Sequence, residues 1–286
     1  MSAIEVKGLR VSYGTFEAVR GVDLHVDEGE VVALVGPNGA GKTSTVEVLE
    51  GFRKRSAGHV SVLGQEPGTQ ALKQRVGVVL QESQSDNYLS VSEVLRKHAG
   101  YYDHPRSVDE VIGLVGLDEK ADARVKTLSG GQRRRLDVGL GIIGNPTLVF
   151  LDEPTTGFDP SARRDAWELV RGLTGGGTTV LLTTHYMDEA QALADRVVVM
   201  SDGLVVAEGP PATLGGRDAA GVVIRFRATH TPPVGDLVDG AWEVRTEDEV
   251  RVLHRLTAWS LDTLTPLESL TVARPSLEDV YLRLTS

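Results

Sequence analysis

Lys42 and Thr43 close an eight-residue run, Gly36-Pro37-Asn38-Gly39-Ala40-Gly41-Lys42-Thr43, that fits G-x-x-x-x-G-K-[ST] at every fixed position. The chemistry of such a run is definite. Its glycines let backbone N–H groups turn inward with no Cβ in the way, so that they surround phosphate oxygens. The lysine reaches the β- and γ-phosphates, and the threonine hydroxyl ligates Mg²⁺. The flanks agree. Glu30-Val31-Val32-Ala33-Leu34-Val35 reads as a buried strand, and Thr45-Val46-Glu47-Val48-Leu49 reads as a helix whose positive N-terminus faces the same anion. The implied ligand is a nucleoside triphosphate.

Asp152 and Glu153 end the apolar run Thr147-Leu148-Val149-Phe150-Leu151. Such a run fits a parallel strand covered on both faces, and ligands in such sheets sit beyond the strand C-termini. Asp152 is placed to hold Mg²⁺, directly or through water, and Glu153 to orient or deprotonate an attacking water. Two further strand-like runs end in polar side chains, one at Gln81 and one at His185. Gln81 reads either as a solvated strand end or as a contact to Mg²⁺ or the water. His185 reads either as a structural histidine or as a contact to the γ-phosphate that keeps water and Glu153 in line. Tyr13, upstream of the phosphate loop, is an ordinary strand aromatic or a platform for a purine ring. Leu128-Ser129-Gly130-Gly131-Gln132 is a second glycine-rich loop feeding a helix, hence a second anion site or a plain N-cap by Ser129. The run Arg133-Arg134-Arg135 after it has the composition of a nucleic-acid patch, but it is short and the net charge opposes that, so it reads as a solvated helix face.

The elements that must position these groups follow from periodicity. Residues 4–35 alternate as strands, with turn signals at Tyr13-Gly14 and Asp27-Glu28-Gly29. A helical period starts at Val91, where Ser90 and Glu93 have capping-box spacing, and a second helix spans Val108 to Val115. The stretch of about 82–146 reads as a helical insertion in an α/β chain. Gly139 and Gly141, inside the helix after the second loop, each cost ~1 kcal/mol relative to Ala and point to close packing. The character changes after Gly209-Pro210-Pro211. Val222 to Ala228, Trp242 to Arg245 and Val250 to Leu256 alternate as strands, Leu270 to Ala273 is a fourth, and Ser276-Leu277-Glu278-Asp279 opens a last helix. The expected division is therefore 1–214 and an α+β appendix, 215–286.

Composition narrows the function classes. Across 286 residues, 40 Asp and Glu against 30 Lys and Arg give a formal net charge of −10, which disfavours binding nucleic acid through a basic surface. The absence of cysteine excludes disulfides and thiolate metal sites. The start lacks a signal-peptide pattern, and no apolar run approaches the ~18 residues of a spanning helix. The expected location is cytoplasmic, with any membrane role supplied by a partner.

Taken together, these residues resemble the nucleotide-binding subunit of an ATP-binding cassette (ABC) transporter, over residues 3 to about 211 with the motifs in order. The resemblance implies an α/β fold: a P-loop NTPase (RecA-like) parallel sheet core with an N-terminal antiparallel β subdomain and a helical insertion. It implies that Gly36, Asn38, Gly39, Gly41, Lys42 and Thr43 belong to the Walker A loop, with Ser44 at the α-phosphate and Tyr13 stacking on adenine. Gln81 matches the Q-loop, Asp152 the Walker B aspartate and Glu153 the catalytic glutamate. Asp159 matches the D-loop and His185 the switch histidine. Ser129, Gly131 and Gln132 match the signature motif, the most diagnostic of the set. In the family two cassettes pair head to tail, with ATP between the Walker A loop of one and the signature loop of the other. The implied cofactors are ATP and Mg²⁺. The implied partners are a second cassette, identical or related, and an integral membrane permease that holds the protein at the cytoplasmic face of the cell membrane. No nucleic acid is expected.

The runs Thr155 to Pro160 and Thr183 to Ala190, with the ending Pro275 to Tyr281, resemble ABC-2-type exporters, including the daunorubicin-resistance type. Phe158 stands where Leu is usual there, and Gly139 and Gly141 where Ala is common. Three rival readings exist. A soluble cassette ATPase acting on nucleic acid or ribosomes would carry a long coiled coil or two cassettes. An importer ATPase would share the motifs, but the C-terminal ending favours export. A non-hydrolysing ATP sensor would not need Glu153 and His185.

Overall fold

The computed structural model describes residues 2–79, 86–217 and 221–285, which form two compact units, Met1–Pro211 and Ala212–Leu284. The first begins with a hairpin of β1 (Ser2–Tyr13) and β2 (Phe16–Asp27). Alternation puts Ile4, Val6 and Leu9 of β1 and Val22, Leu24 and Val26 of β2 into the core, their polar neighbours outside. The chain then enters β3 (Val31–Val35), buried along its whole length, and α1 (Lys42–Glu50). Gly51 ends α1 in a left-handed turn, φ 82°. β4 (Ala57–Val62) returns to the open edge of β1, completing a three-stranded antiparallel sheet in the order β2-β1-β4.

α2 (Gln70–Lys73) and β5 (Val76–Val79) lead to the helical stretch. There α3 (Val91–Ala99) opens with the Ser90–Glu93 capping box, and α4 (Val108–Leu114) is capped by Ser107. α5 (Gly130–Ile142) follows the second glycine loop. The remainder alternates strand and helix: β6 (Leu148–Asp152), α6 (Pro160–Gly175), β7 (Thr179–Thr184), α7 (Met187–Leu193), β8 (Arg196–Ser201) and β9 (Leu204–Gly209). The main sheet runs β5-β6-β7-β3-β8-β9, parallel except for β9. β6, β7 and β3 are neighbours, with Asp152 opposite Thr183 and Thr184 opposite Val35. Their C-terminal ends therefore lie side by side, which is where an open parallel sheet binds its ligand. The chain has the P-loop NTPase architecture.

The second unit is a four-stranded sheet, β11-β12-β10-β13, made of β10 (Val222–Arg227), β11 (Asp236–Val238), β12 (Ala241–Thr246) and β13 (Glu268–Ala273). α8 (Glu249–Thr263) packs on one face, and α9 (Leu277–Thr285) ends the chain behind the Ser276–Asp279 cap. One expectation is corrected here: Val250 to Leu256 is helix, not strand. The Val-Arg-Val alternation is local. Val252, Leu253 and Leu256 instead form a helical stripe that covers Ile224 and Phe226, and Asp248 caps the helix by accepting from Arg251 N at 3.1 Å.

Candidate active site

Two close contacts define the phosphate loop. A Cβ on Gly36 would lie 2.3 Å from the Met200 carbonyl oxygen, and one on Gly41 would lie 2.5 Å from that of Ala18. Neither position admits a side chain, so the loop backbone sits against β8 and β2 and can curl its N–H groups the other way. Lys42 is buried, and its Nζ donates to the carbonyls of Gly36 at 2.8 Å and Pro37 at 3.1 Å. Burial pushes its pKa down, and the carboxylates of Glu153 and Asp152 oppose that shift. Asn38, Gly39 and Thr43 are exposed around it. Tyr13 stands beside the loop. Its hydroxyl lies 2.9 Å from Ser44 Oγ, and the Arg53 guanidinium covers its ring at 4.4 Å from the centroid.

Asp152 and Glu153 leave the end of β6 next to Thr183 of β7. Thr183 Oγ1 donates to Asp152 Oδ1 at 2.5 Å, and the Glu153 N–H donates to both Oγ1 and the carbonyl of Thr183 at 3.1 Å. Glu153 adopts a left-handed backbone, φ 44°. For a non-glycine residue this costs of order 1–3 kcal/mol and persists only where the surroundings enforce it. The turn carries the Glu153 carboxylate to His185, whose Nδ1 lies 3.2 Å from Oε1, while Thr156 Oγ1 donates to Oε2 at 3.0 Å. The His185 ring packs on Tyr186, and Arg163 of α6 stacks over Tyr186 at 4.2 Å from its centroid. Gln81 lies outside the described residues.

Ser129, Gly131 and Gln132 form a separate group. Ser129 and Gln132 cap each other, with Gln132 N donating to Ser129 Oγ at 3.3 Å and Ser129 N to Gln132 Oε1 at 3.0 Å. With Phe158 and Asp159 they line a cavity of about 480 Å³ that no residue of the phosphate loop reaches. Asp159 caps α6 by accepting from the N–H groups of Ser161 and Ala162, which holds its carboxyl below the usual carboxylate range.

The arginine run departs from expectation. Arg134 is buried, not solvated: its Nε donates to the Pro154 carbonyl at 3.1 Å, and its Nη2 to those of Asp152 at 2.9 Å and Glu153 at 3.3 Å. A signal was present in the sequence. Arg134 precedes Val138, Gly141 and Ile142 by four, seven and eight residues, which puts it on the buried stripe of α5. Arg133 and Arg135 do face outward, paired with Asn87 and Asp165.

This site suits a nucleotide and a hard cation. Among the described residues no group of three or more His, Asp or Glu could cage a metal. Mg²⁺ is bound through one or two protein oxygens together with substrate phosphates, and Asp152 and Thr43 provide that kind of donor. The model of the ABC transporter family matches residues 19–156. A daunorubicin resistance ATP-binding protein of Streptomyces coeruleorubidus is 36% identical over 99% of this chain and 96% of its own length. The chain belongs to the ATP-binding subunits of ABC transporters. A Nod factor export ATP-binding protein I of Ralstonia nicotianae is likewise 36% identical, over 99% of this chain and 93% of that protein. The solved ADP conformation of an ABC transporter ATP-binding cassette is 25% identical, with a TM-score of 0.66 over 73% of this chain and 91% of that one. An ABC ATP-binding subunit binds ATP, and the phosphate loop around Lys42 is where this chain has the means to do so. No helix among the described residues is long and apolar enough to cross a membrane.

Proposed function

We propose that this ABC subunit hydrolyses ATP to drive export through a separate integral membrane permease, at the cytoplasmic face of the cell membrane. The observation that carries the hydrolytic reading is the placement of Glu153, held by Thr183, Thr156 and His185 at the sheet edge that also carries the phosphate loop. Lys42 and the loop N–H groups bind the β- and γ-phosphates, Ser44 takes the α-phosphate, and Tyr13 stacks on adenine. Thr43, Asp152 and Gln81 would hold Mg²⁺, which when bound neutralises charge on the β- and γ-phosphate oxygens. Glu153 orients a water and takes its proton as the water oxygen bonds to the γ-phosphorus. The bond from that phosphorus to the bridging oxygen breaks, leaving ADP and phosphate. His185 keeps Glu153 and the γ-phosphate in line.

The separation of the Ser129 group from the phosphate loop supports a head-to-tail pair, in which Ser129, Gly131 and Gln132 of one copy close on the nucleotide of the other and Asp159 faces the same junction. We assign residues 1–214 to the ATPase domain, with 82–146 as its helical subdomain, and 215–286 to an accessory domain that regulates or adds dimer contact. Export is favoured by the similarity to daunorubicin resistance and Nod factor export proteins and by the run Pro275 to Tyr281. The cargo class in this reading is a drug or another hydrophobic or complex molecule. Glu153→Gln should lower phosphate release by about 10²–10⁴-fold, the scale of a lost general base, while ATP binding persists. Gel filtration of that variant should give a dimer with ATP and a monomer without it. Unchanged turnover would count against the hydrolytic role, and a monomer under both conditions against the pair. A membrane protein co-purifying with the chain identifies the permease.

A further inference from the structure

The three carbonyls that Arg134 holds are consecutive. They belong to Asp152, Glu153 and Pro154, at the point where the chain leaves β6 and its ladder partners end. Buried carbonyls there need donors, and a planar guanidinium supplies several in one fixed fork. The charge is costly to bury: burial pushes the Arg134 pKa down, and the carboxylates of Asp137, Asp152 and Glu189 offset part of that cost. A plain strut at a strand end would satisfy the same atoms. Two facts ask for more. The middle carbonyl belongs to Glu153, whose left-handed backbone has to be enforced from outside. The arginine stands on α5, the helix headed by Ser129 and Gln132, five residues after Ser129.

We propose that Arg134 is a positioning residue that holds Glu153 in its working conformation and ties it to the helix headed by Ser129. The inference rests on the hydrolytic role of Glu153 and on the head-to-tail pair. In that pair the Ser129 and Glu153 of one chain serve two different nucleotides. A displacement of α5 when Ser129 closes on the partner's nucleotide therefore reaches the carboxylate serving the chain's own nucleotide. Arg134 thus connects the two sites and makes the second turnover sensitive to the first occupancy.

The test is Arg134→Lys in the full chain. It keeps the buried charge, but a single ammonium cannot span three carbonyls in the guanidinium's plane. Turnover should fall by about 10²-fold, the scale of an ångström-sized misplacement of a reacting group. The Kd for ATP should stay unchanged, and the ATP dependence of hydrolysis should lose its cooperativity. In Arg134→Ala, added methylguanidinium should restore part of the lost turnover. A merely structural arginine would change melting temperature and Kd without a selective loss of turnover. Unchanged turnover in Arg134→Lys overturns the proposal, as does a chain that fails to fold or loses nucleotide binding along with turnover. Glu153→Gln measured alongside separates the two ideas. If it leaves hydrolysis intact, the reading of Glu153 fails. If it stops hydrolysis while Arg134→Lys does not, only the positioning role fails.

Discussion

Glu50 ends α1 in the wall of a groove lined by Leu49, Phe52, Leu72, Val76 and Tyr102, with Lys73, His98 and Asp137 among its polar residues. Burial pushes its pKa up to about 8, and the carboxylates of Asp152 and Glu47 push the same way. In the unfolded chain a glutamate titrates at about 4.3. Between those values the folded state keeps a proton that the unfolded state has lost, so stability falls as pH rises. The contribution is intact below the unfolded-state pKa and gone once the pH passes about 8. Glu50→Gln removes the titration, so its gain in melting temperature over the parent should be small at pH 5 and larger at pH 9. Parallel melting curves across that range would refute the assignment. Residue types legible in the sequence include Lys42, Asp152 and Glu153, because a motif or a strand end announces them. The conformation of Glu153 was not legible, since a non-glycine residue takes a positive φ only when its surroundings force it, and those surroundings are Thr183 and Arg134 from distant stretches.

At the scale of elements, α5 and β5 meet through two glycines. A Cβ on Gly77 would lie 2.0 Å from the Gly141 carbonyl oxygen, and one on Gly141 would lie 2.5 Å from Val79 Cγ2. Helix propensity alone predicts that Gly141→Ala stabilises by ~1 kcal/mol, but overpacking costs about 1–3 kcal/mol. The contact should win, with a net loss of about 1 kcal/mol. Gly139 differs. Its nearest neighbour would be Val111 Cγ1 at 3.3 Å, with Leu95 and Val115 side chains at 3.5 Å. These are side chains that can give, so Gly139→Ala should be neutral or stabilising by up to ~1 kcal/mol. Urea midpoints should move down for Gly141→Ala and not for Gly139→Ala; a common direction would refute the packing argument. Two glycines inside one helix point to close packing in the sequence, but the partners, β5 for Gly141 and Leu95, Val111 and Val115 for Gly139, lie in distant stretches. At α8 a short Val-Arg-Val alternation fits a strand and a helix equally until Ile224 and Phe226 supply the surface to be covered.

At the scale of the whole molecule, the site depends on strand order. Periodicity identifies β3, β6 and β7 as buried strands, and the family resemblance implies a parallel sheet, yet nothing local says that they adjoin as β6-β7-β3; that comes from tertiary pairing. The arrangement leaves the Ser129 group outside the phosphate loop's reach, and the head-to-tail pair makes a quantitative claim about it. Lys42→Ala disables the loop of its own chain, and Ser129→Arg disables what a chain offers its partner, so either pair alone should be inactive. In an equimolar mixture with random exchange, about half of the dimers are mixed, by the symmetry of a two-fold pair. A mixed dimer has one site built from two damaged halves and one from two intact halves. Half of the dimers with half of their sites restored gives about one quarter of parental turnover under composite sites that act independently, and less where turnover at one site depends on occupancy of the other. If each chain instead closes on its own nucleotide, every site contains one lesion and mixing restores nothing. Phosphate release and nucleotide retention measured after co-expression, with mixed dimers verified by two affinity tags, decide between the two arrangements: release above that of either single-variant pair supports the shared site, and verified mixed dimers that neither release phosphate nor retain nucleotide reject it.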